Sequence, residues 1–189
     1  ITASNGIGLN YVDQWGEKLS FSGSYFFNQS DNTTQTDIDR RYFESLFPGL
    51  TYGETSQSEM ENWNHRLRGK LDYRIDPDNS LQFVPTVSLQ TSTPTDAVEN
   101  TSRSRTEAYN IGADLIYRHR FATPGRTLSA VFSGKISDKT SDIYSDYLTQ
   151  TFGTETAEER YGQFKDYGNR QYTLRGNLMY TERLAEPLQ

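Results

Sequence analysis

His65 and His119 are the only histidines in the chain and there is no cysteine, so any transition-metal site would have to be built around them. Each lies in strand-like sequence beside arginine, with no second histidine near it. A metal ion needs several converging ligands, so neither residue is read as a metal ligand. Asp76-Pro77-Asp78-Asn79 has the oxygen-rich look of a calcium loop but lacks the glycine at the sixth position and the glutamate at the twelfth. The same four residues are strong turn chemistry, which accounts for them fully. Asp37-Ile38-Asp39 and Glu158-Glu159 offer paired carboxylates of the kind that hydrolyse glycosides, but nothing fixes their separation, and they are read as solvated acidic residues. Serine and threonine are plentiful, yet there is no G-x-S-x-G elbow and no histidine placed to activate a hydroxyl. Tyr42-Phe43 and Phe47-Pro48 interrupt a long polar segment and are read as packing that segment on itself rather than gripping a ligand. The residues therefore predict no catalytic, cofactor-binding or metal site, no enzyme activity, and ligand-binding positions that stay unassigned.

What the sequence does specify is strands. From Asn62 to Gln90 it reads N-W-N-H-R-L-R-G-K-L-D-Y-R, then I-D-P-D-N-S, then L-Q-F-V-P-T-V-S-L-Q. Trp63, His65, Leu67, Gly69, Leu71 and Tyr73 alternate with Asn64, Arg66, Arg68, Lys70, Asp72 and Arg74. Neighbouring side chains on a strand point to opposite faces, so this arm has one apolar face and one charged face. Leu81, Phe83, Pro85, Val87 and Leu89 repeat the pattern, with Val84 the apolar exception on the polar side. The two arms and their Asp-Pro-Asp-Asn turn predict a long antiparallel hairpin.

The same alternation recurs along the chain. Gly6–Asp13 places Ile7, Leu9 and Tyr11 on one face, Gln14–Glu17 is a tight turn, and Lys18–Asn28 aligns Leu19, Phe21, Gly23, Tyr25 and Phe27. A long polar segment, Gln29–Glu61, precedes the hairpin, and a shorter one, Thr91–Arg105, follows it. Thr106–Arg120 aligns Tyr109, Ile111, Ala113, Leu115 and Tyr117; Phe121–Gly125 is a short turn; Arg126–Asp138 aligns Leu128, Ala130, Phe132, Gly134 and Ile136. Lys139–Gly168 is a second long polar segment, Asn169–Thr181 aligns Tyr172, Leu174, Gly176, Leu178 and Tyr180, and Glu182–Pro187 is another short turn. The expectation is all-β: an antiparallel up-and-down meander of about seven long strands, of roughly 8–14 residues against a usual 5–6.

Length and composition narrow the class. The 189 residues are enough for one domain, but only 33% are hydrophobic and the mean hydropathy is −0.81, low for a self-contained globule. Aromatics at 13%, with 13 tyrosines, argue against disorder. The net charge of −6 and the lack of a basic run exclude nucleic acid as the expected partner. No stretch is long and apolar enough for a transmembrane helix, a test that β-barrel strands escape because only every second residue faces lipid.

The connections alternate short, long, short, medium, short, long, short. A soluble sandwich has no reason to keep that rule, whereas a transmembrane β-barrel has short turns on one side and long loops on the other. A one-residue slip would turn Arg66, Arg68 and Lys70 towards lipid at about 2–4 kcal/mol each near the midplane, so the register is strongly specified. Trp15, Tyr25 to Phe27, Trp63, Tyr73, Phe121 and Tyr180 cluster near strand ends, as interfacial girdles require. The competing reading is a soluble β-sandwich or adhesin-like binding module whose apolar face packs on a second sheet.

Three runs carry a resemblance to a known family: L-N-Y-V-D-Q-W-G-E-K-L-S-F-S-G-S-Y-F-F-N (Leu9–Asn28), H-R-L-R-G-K-L-D-Y-R-I-D-P-D-N-S-L-Q-F-V-P-T-V-S (His65–Ser88) and L-I-Y-R-H-R-F-A-T-P-G-R-T-L-S (Leu115–Ser129). They resemble the outer-membrane β-barrels of TonB-dependent receptors from Bacteroidetes, across the strand regions but not the long polar segments. The resemblance implies that residues 1–189 are a partial barrel domain, an interior piece of a barrel of about 22 strands whose signal peptide, plug and remaining strands lie outside it. It implies a place in the bacterial outer membrane, in contact with its lipid, and nutrient binding and uptake driven through TonB. It further implies a plug domain and a surface lipoprotein as partners, and no catalytic residue to carry over. In that setting Asn28, Asn32 and Asn100, which open N-x-[ST] sequons, carry no expectation of glycosylation.

Overall fold

The computed structural model describes residues 1–41, 51–97, 101–151 and 157–183. These form one seven-stranded antiparallel sheet: β1 (Thr2–Trp15), β2 (Leu19–Arg41), β3 (Thr51–Arg74), β4 (Asn79–Ala97), β5 (Thr101–Arg120), β6 (Thr127–Thr151) and β7 (Ala157–Thr181). Each strand pairs with the next in sequence, in the order β1-β2-β3-β4-β5-β6-β7, and the described residues contain no helix. The meander expected from the sequence is the observed topology.

Register follows the hydrophobic pattern strand by strand. Leu9, Tyr25, Leu67, Val87, Ile111, Ile136 and Tyr172 stand in one cross-strand row, and Phe21, Leu71, Phe83, Leu115 and Phe132 in another. Most apolar residues of the seven strands thus share one face, with Val12, Phe26, Val84, Ile116, Val131 and Met179 on the other. On β3 the belt runs from Trp63 to Tyr73. At about 3.3 Å per residue and the usual tilt of barrel strands this is about 25 Å tall, the height of a barrel's lipid-facing band.

Between those two rows lies a row of small residues: Gly23, Gly69, Pro85, Ala113 and Gly134. The Phe21 ring covers the two glycines of β2 and β3; a Cβ on Gly23 would come within 3.0 Å of it, and a Cβ on Gly69 within 3.0 Å of Pro85. Trp15 stacks on Phe21 in turn, with ring centroids 5.8 Å apart. The β3–β4 ladder omits the pairs around Gly69 and Pro85, and the β4–β5 ladder omits those around Pro94. A proline has no N–H to give, so each interrupts the ladder on one side only. Gly16 and Gly125 adopt positive φ, 71° and 82°, which lets the β1–β2 and β5–β6 turns close tightly.

The strands are far longer than the sequence predicts, 14 to 25 residues. Most of Gln29–Glu61, Thr91–Arg105 and Lys139–Gly168, expected as connecting segments, is strand: β2 and β3 stay paired from Asn28↔Asn64 out to Arg41↔Thr51, and β6 and β7 out to Thr151↔Ala157. The physical reason is that beyond the belt both faces are wet. Ser, Thr, Gln and charged residues then satisfy either face, and the period-two signal disappears while the backbone ladder continues.

No hydrophobic core supports this sheet. Val84 is the one buried hydrophobic residue among those described, and Ile7, Leu9, Leu67, Phe83, Ile111, Leu115, Phe132, Leu174 and Leu178 are exposed. Leu71 and Leu81, expected to be open like Leu67 and Phe83, are half-buried among their neighbours. On β4 the order is reversed at one point: Val84 on the polar face is 8% exposed, against 38% for Phe83 beside it on the apolar face. A single sheet with an uncovered apolar face must find an apolar environment elsewhere. Leu115→Lys on that face is expected to cost about 2–3 kcal/mol of folding stability in a bilayer. Ser133→Lys, at similar depth on the polar face, is expected to be close to neutral; urea titration in lipid vesicles measures both.

Candidate functional site

Two regions of the wall carry organised polar chemistry: the ends of the apolar belt and the polar face. At the belt's ends aromatic side chains turn a polar handle towards an acceptor. Trp63 Nε1 donates to Glu61 at 2.7 Å, Trp15 Nε1 to Asp13 at 2.8 Å, and the Tyr180 hydroxyl to Glu182 at 3.2 Å. Phe27 packs on both Trp63 and His65. The Tyr25 hydroxyl and His65 Nδ1 lie 2.8 Å apart, which occupies that histidine in the girdle. Rings placed this way keep an apolar body and a polar tip in different surroundings.

At the short-turn end, Asp76 organises the β3–β4 turn. Its Oδ1 accepts from the backbone N–H groups of Asp78 and Asn79, both at 2.8 Å, and Asn79 Nδ2 donates to both carboxylate oxygens. Asn79 Oδ1 in turn accepts from the Tyr117 hydroxyl and faces His119 Nδ1 at 2.8 Å. Asp78 pairs with Arg120 at 3.0 Å. The oxygens that gave the segment its calcium-loop look are therefore spent on the turn and on tying it to β5. His119 and His65 sit at opposite ends of the belt, on β5 and β3. Among the described residues no three of His, Asp and Glu come together as metal ligands.

The carboxylate pairs are kept apart. Asp37 and Asp39 lie on the outer part of β2 against Thr55 and Gly53, whereas Glu158 and Glu159 lie on β7 against Gln150 and Thr149. Asn28 Nδ2 donates to the Asn5 carbonyl, and Asn32 accepts from the Thr2 hydroxyl. Tyr42, Phe43, Phe47, Pro48 and Asn100 lie outside the described residues.

The polar face gathers cations from separate strands. One row reads Phe26, Arg66, Ser88, Asn110, Ser137, Gln171; the next Ser24, Arg68, Thr86, Gly112, Lys135, Thr173. A third contains Val84, Asp114, Ser133 and Arg175. Lys70 is paired with Asp72 at 2.8 Å, and Gln82 also donates to Asp72. Arg66, Arg68, Lys135 and Arg175 make no ion pair or hydrogen bond with the described residues. They border two adjoining hollows of about 470 and 560 Å³ that share Thr86 and Lys135 as lining. Gly112 is a close-approach position, since a Cβ there would meet Thr86 Oγ1 at 3.2 Å and the Gly134 carbonyl at 3.3 Å. The sequence shows Arg66, Arg68 and Lys70 as one charged face, but Lys135 and Arg175 join them only through the register of β5, β6 and β7.

Comparison with family models and with curated proteins finds no match. Solved structures do match in fold. The chain is similar to the RagAB peptide importer in its open-open state, at TM-score 0.50 and 9% identity over 95% of this chain and 26% of that one. It is similar to the siderophore receptor PiuA from Acinetobacter baumannii, at 0.54 and 11% over 94% and 33%. It is similar also to the ferric-catecholate import receptor Fiu from E. coli K12, at 0.51 and 9% over 98% and 34%. The chain thus spans about a quarter to a third of these proteins' lengths. At such identities the likeness concerns the fold alone: an antiparallel up-and-down sheet like a section of an outer-membrane barrel wall.

Hydrogen bonds from Asn79 and from the Asp78 backbone hold the Asp76 carboxyl below its ordinary pKa. A depressed carboxylate stabilises the folded turn above its unfolded pKa of about 3.9, and the contribution is lost as pH falls through the lower folded value. Hydrogen exchange should therefore show the protection of the Asp78 and Asn79 amides constant from pH 7 to about 5 and falling below about 4. In Asp76→Asn it should be low throughout and nearly independent of pH.

Proposed function

We propose that this chain is part of the wall of an outer-membrane transport barrel of the TonB-dependent receptor type, of the kind found in Bacteroidetes, and that it takes part in nutrient binding and uptake. The observation that carries the reading is the single seven-stranded sheet with an uncovered apolar belt and a polar opposite face. A bilayer supplies the missing apolar cover, water or a plug fills the other side, and no backbone group within the belt need be left unpaired except where proline interrupts the ladder. The three import-receptor structures of matching fold support the same reading, as do the sequence runs Leu9–Asn28, His65–Ser88 and Leu115–Ser129.

In this role the chain works by shape and charge, not by bond chemistry. Its rows of Leu, Ile, Phe and Tyr hold the wall in lipid, its polar face borders the passage, and its long outer strands stand above the membrane where ligand or a surface lipoprotein would arrive. The plug and TonB would act through the full-length protein. A soluble sandwich or adhesin-like module is the weaker reading, because its apolar face should be covered by a second sheet, and all seven strands here lie in one.

These 189 residues contain no cysteine, so a label can be placed at a chosen position among them once any cysteine elsewhere in the full-length protein is replaced. Single cysteines at Leu67, Leu115 and Phe132, spin-labelled in the full-length protein reconstituted in lipid, should be relaxed strongly by oxygen and weakly by a water-soluble nickel chelate. Labels at Arg66 and Ser133 should show the reverse preference. Low accessibility to both reagents at Leu67, Leu115 and Phe132 would mean a protein core and would overturn the membrane assignment.

A further inference from the structure

We infer that the polar face of this wall contributes a binding site for a small multivalent anion, a carboxylate or phosphate compound, in the groove that runs past Thr86 between Arg66 and Arg68 on one side and Lys135 and Arg175 on the other. The inference rests on the transport reading above and adds a ligand class to it.

The argument is one of charge and space. The chain as a whole carries a net charge of −6. Yet this patch is cationic, because acidic residues such as Asp31, Asp37, Asp142, Asp146, Glu158 and Glu159 are carried on the outer stretches of the strands. Lys70 nearby is neutralised by Asp72. Arg66, Arg68, Lys135 and Arg175 have no such partner among the described residues, and Asp114 is the one acidic side chain lining the hollows they border. Four cations on one face with no acidic partner leave a local excess of positive charge, and a multivalent anion offsets it more than any neutral ligand can. Arg68 and Lys135 stand in the same row three strands apart, about 14 Å between backbones. Long side chains from both can converge on an anion in the open groove between them. Hollows of about 470 and 560 Å³ are of ligand size. Ser88 and Ser133 supply hydroxyls to the remaining oxygens, whereas the Thr86 and Ser137 hydroxyls already donate to the Gly112 carbonyl and to Asn110 Oδ1. A plug surface rich in acidic residues is the other way to satisfy these cations, and the test below distinguishes it.

The test is calorimetric titration of the full-length detergent-solubilised protein with citrate, with inorganic phosphate and with neutral trehalose. Citrate or phosphate is expected to bind, more weakly as salt is added, and trehalose is not. The stronger of the two anions identifies the ligand as carboxylate or phosphate. Arg68→Gln combined with Lys135→Gln should weaken anion binding about tenfold or more. Arg160→Gln, on the outer part of β7, should leave it unchanged. Absence of anion binding, or binding unaltered by the double substitution, overturns the inference. So does the case in which no anion binds and the double variant instead lowers the unfolding temperature of the plug, since the cations then pair with protein. Each sample is also run unheated and heated on a denaturing gel. Loss of the mobility shift of a folded barrel in the unsubstituted protein would refute the transport reading itself, and so separates the two failures.

Discussion

Continuous backbone pairing between successive strands is the constraint on which this structure depends. A polypeptide entering hydrocarbon must satisfy its N–H and C=O groups internally, and a meander does so strand by strand while leaving both faces free for side chains. That freedom is what the sequence uses. One face is given to Leu, Ile, Phe and Tyr, the other to Arg, Lys, Ser and Thr, and no core is needed between them. The absence of a second layer is the normal state of a wall whose solvents differ on its two sides.

The proline and glycine positions show how closely that ladder can be trimmed. Pro85 and Pro94 lie inside β4, a paired interior strand, and each removes hydrogen bonds on one side while its other neighbour stays in register. Phe21 and Pro85 cover the glycines of β2 and β3, so the thin row of the belt still presents apolar surface outward. The aromatic girdles act at the borders, where Trp15, Trp63 and Tyr180 each find an acceptor one turn of the pleat away. Together these fix how deep the sheet sits as well as which way it faces.

Much of this was legible in the sequence. The alternation Trp63–Tyr73 and Leu81–Leu89 fixes face and register because misplacing Arg66 or Arg68 in lipid is costly, and the Asp-Pro-Asp-Asn turn fixes the hairpin. The outer halves of the strands were not legible. Thr33 to Asp39 pair as regularly as Tyr25 does, yet with water on both faces their side chains carry no periodic signal. The cationic patch was half legible. Arg66 and Arg68 share a strand, but their placement relative to Lys135 and Arg175 depends on three and four successive strand pairings that no local pattern encodes. The Asp76 network was missed in a different way: the turn was evident, but not that Asn79 would engage Tyr117 and His119 from the next hairpin.

The outer ribbons bear on how such a wall can change. Because β2 with β3 and β6 with β7 keep one ladder well past the apolar belt, the height of the rim is set by backbone geometry and not by loop conformation. On the transport reading proposed above, what an arriving ligand meets and what anchors the wall then lie on separate stretches of the same strands, so that one stretch can be altered while the other keeps its form.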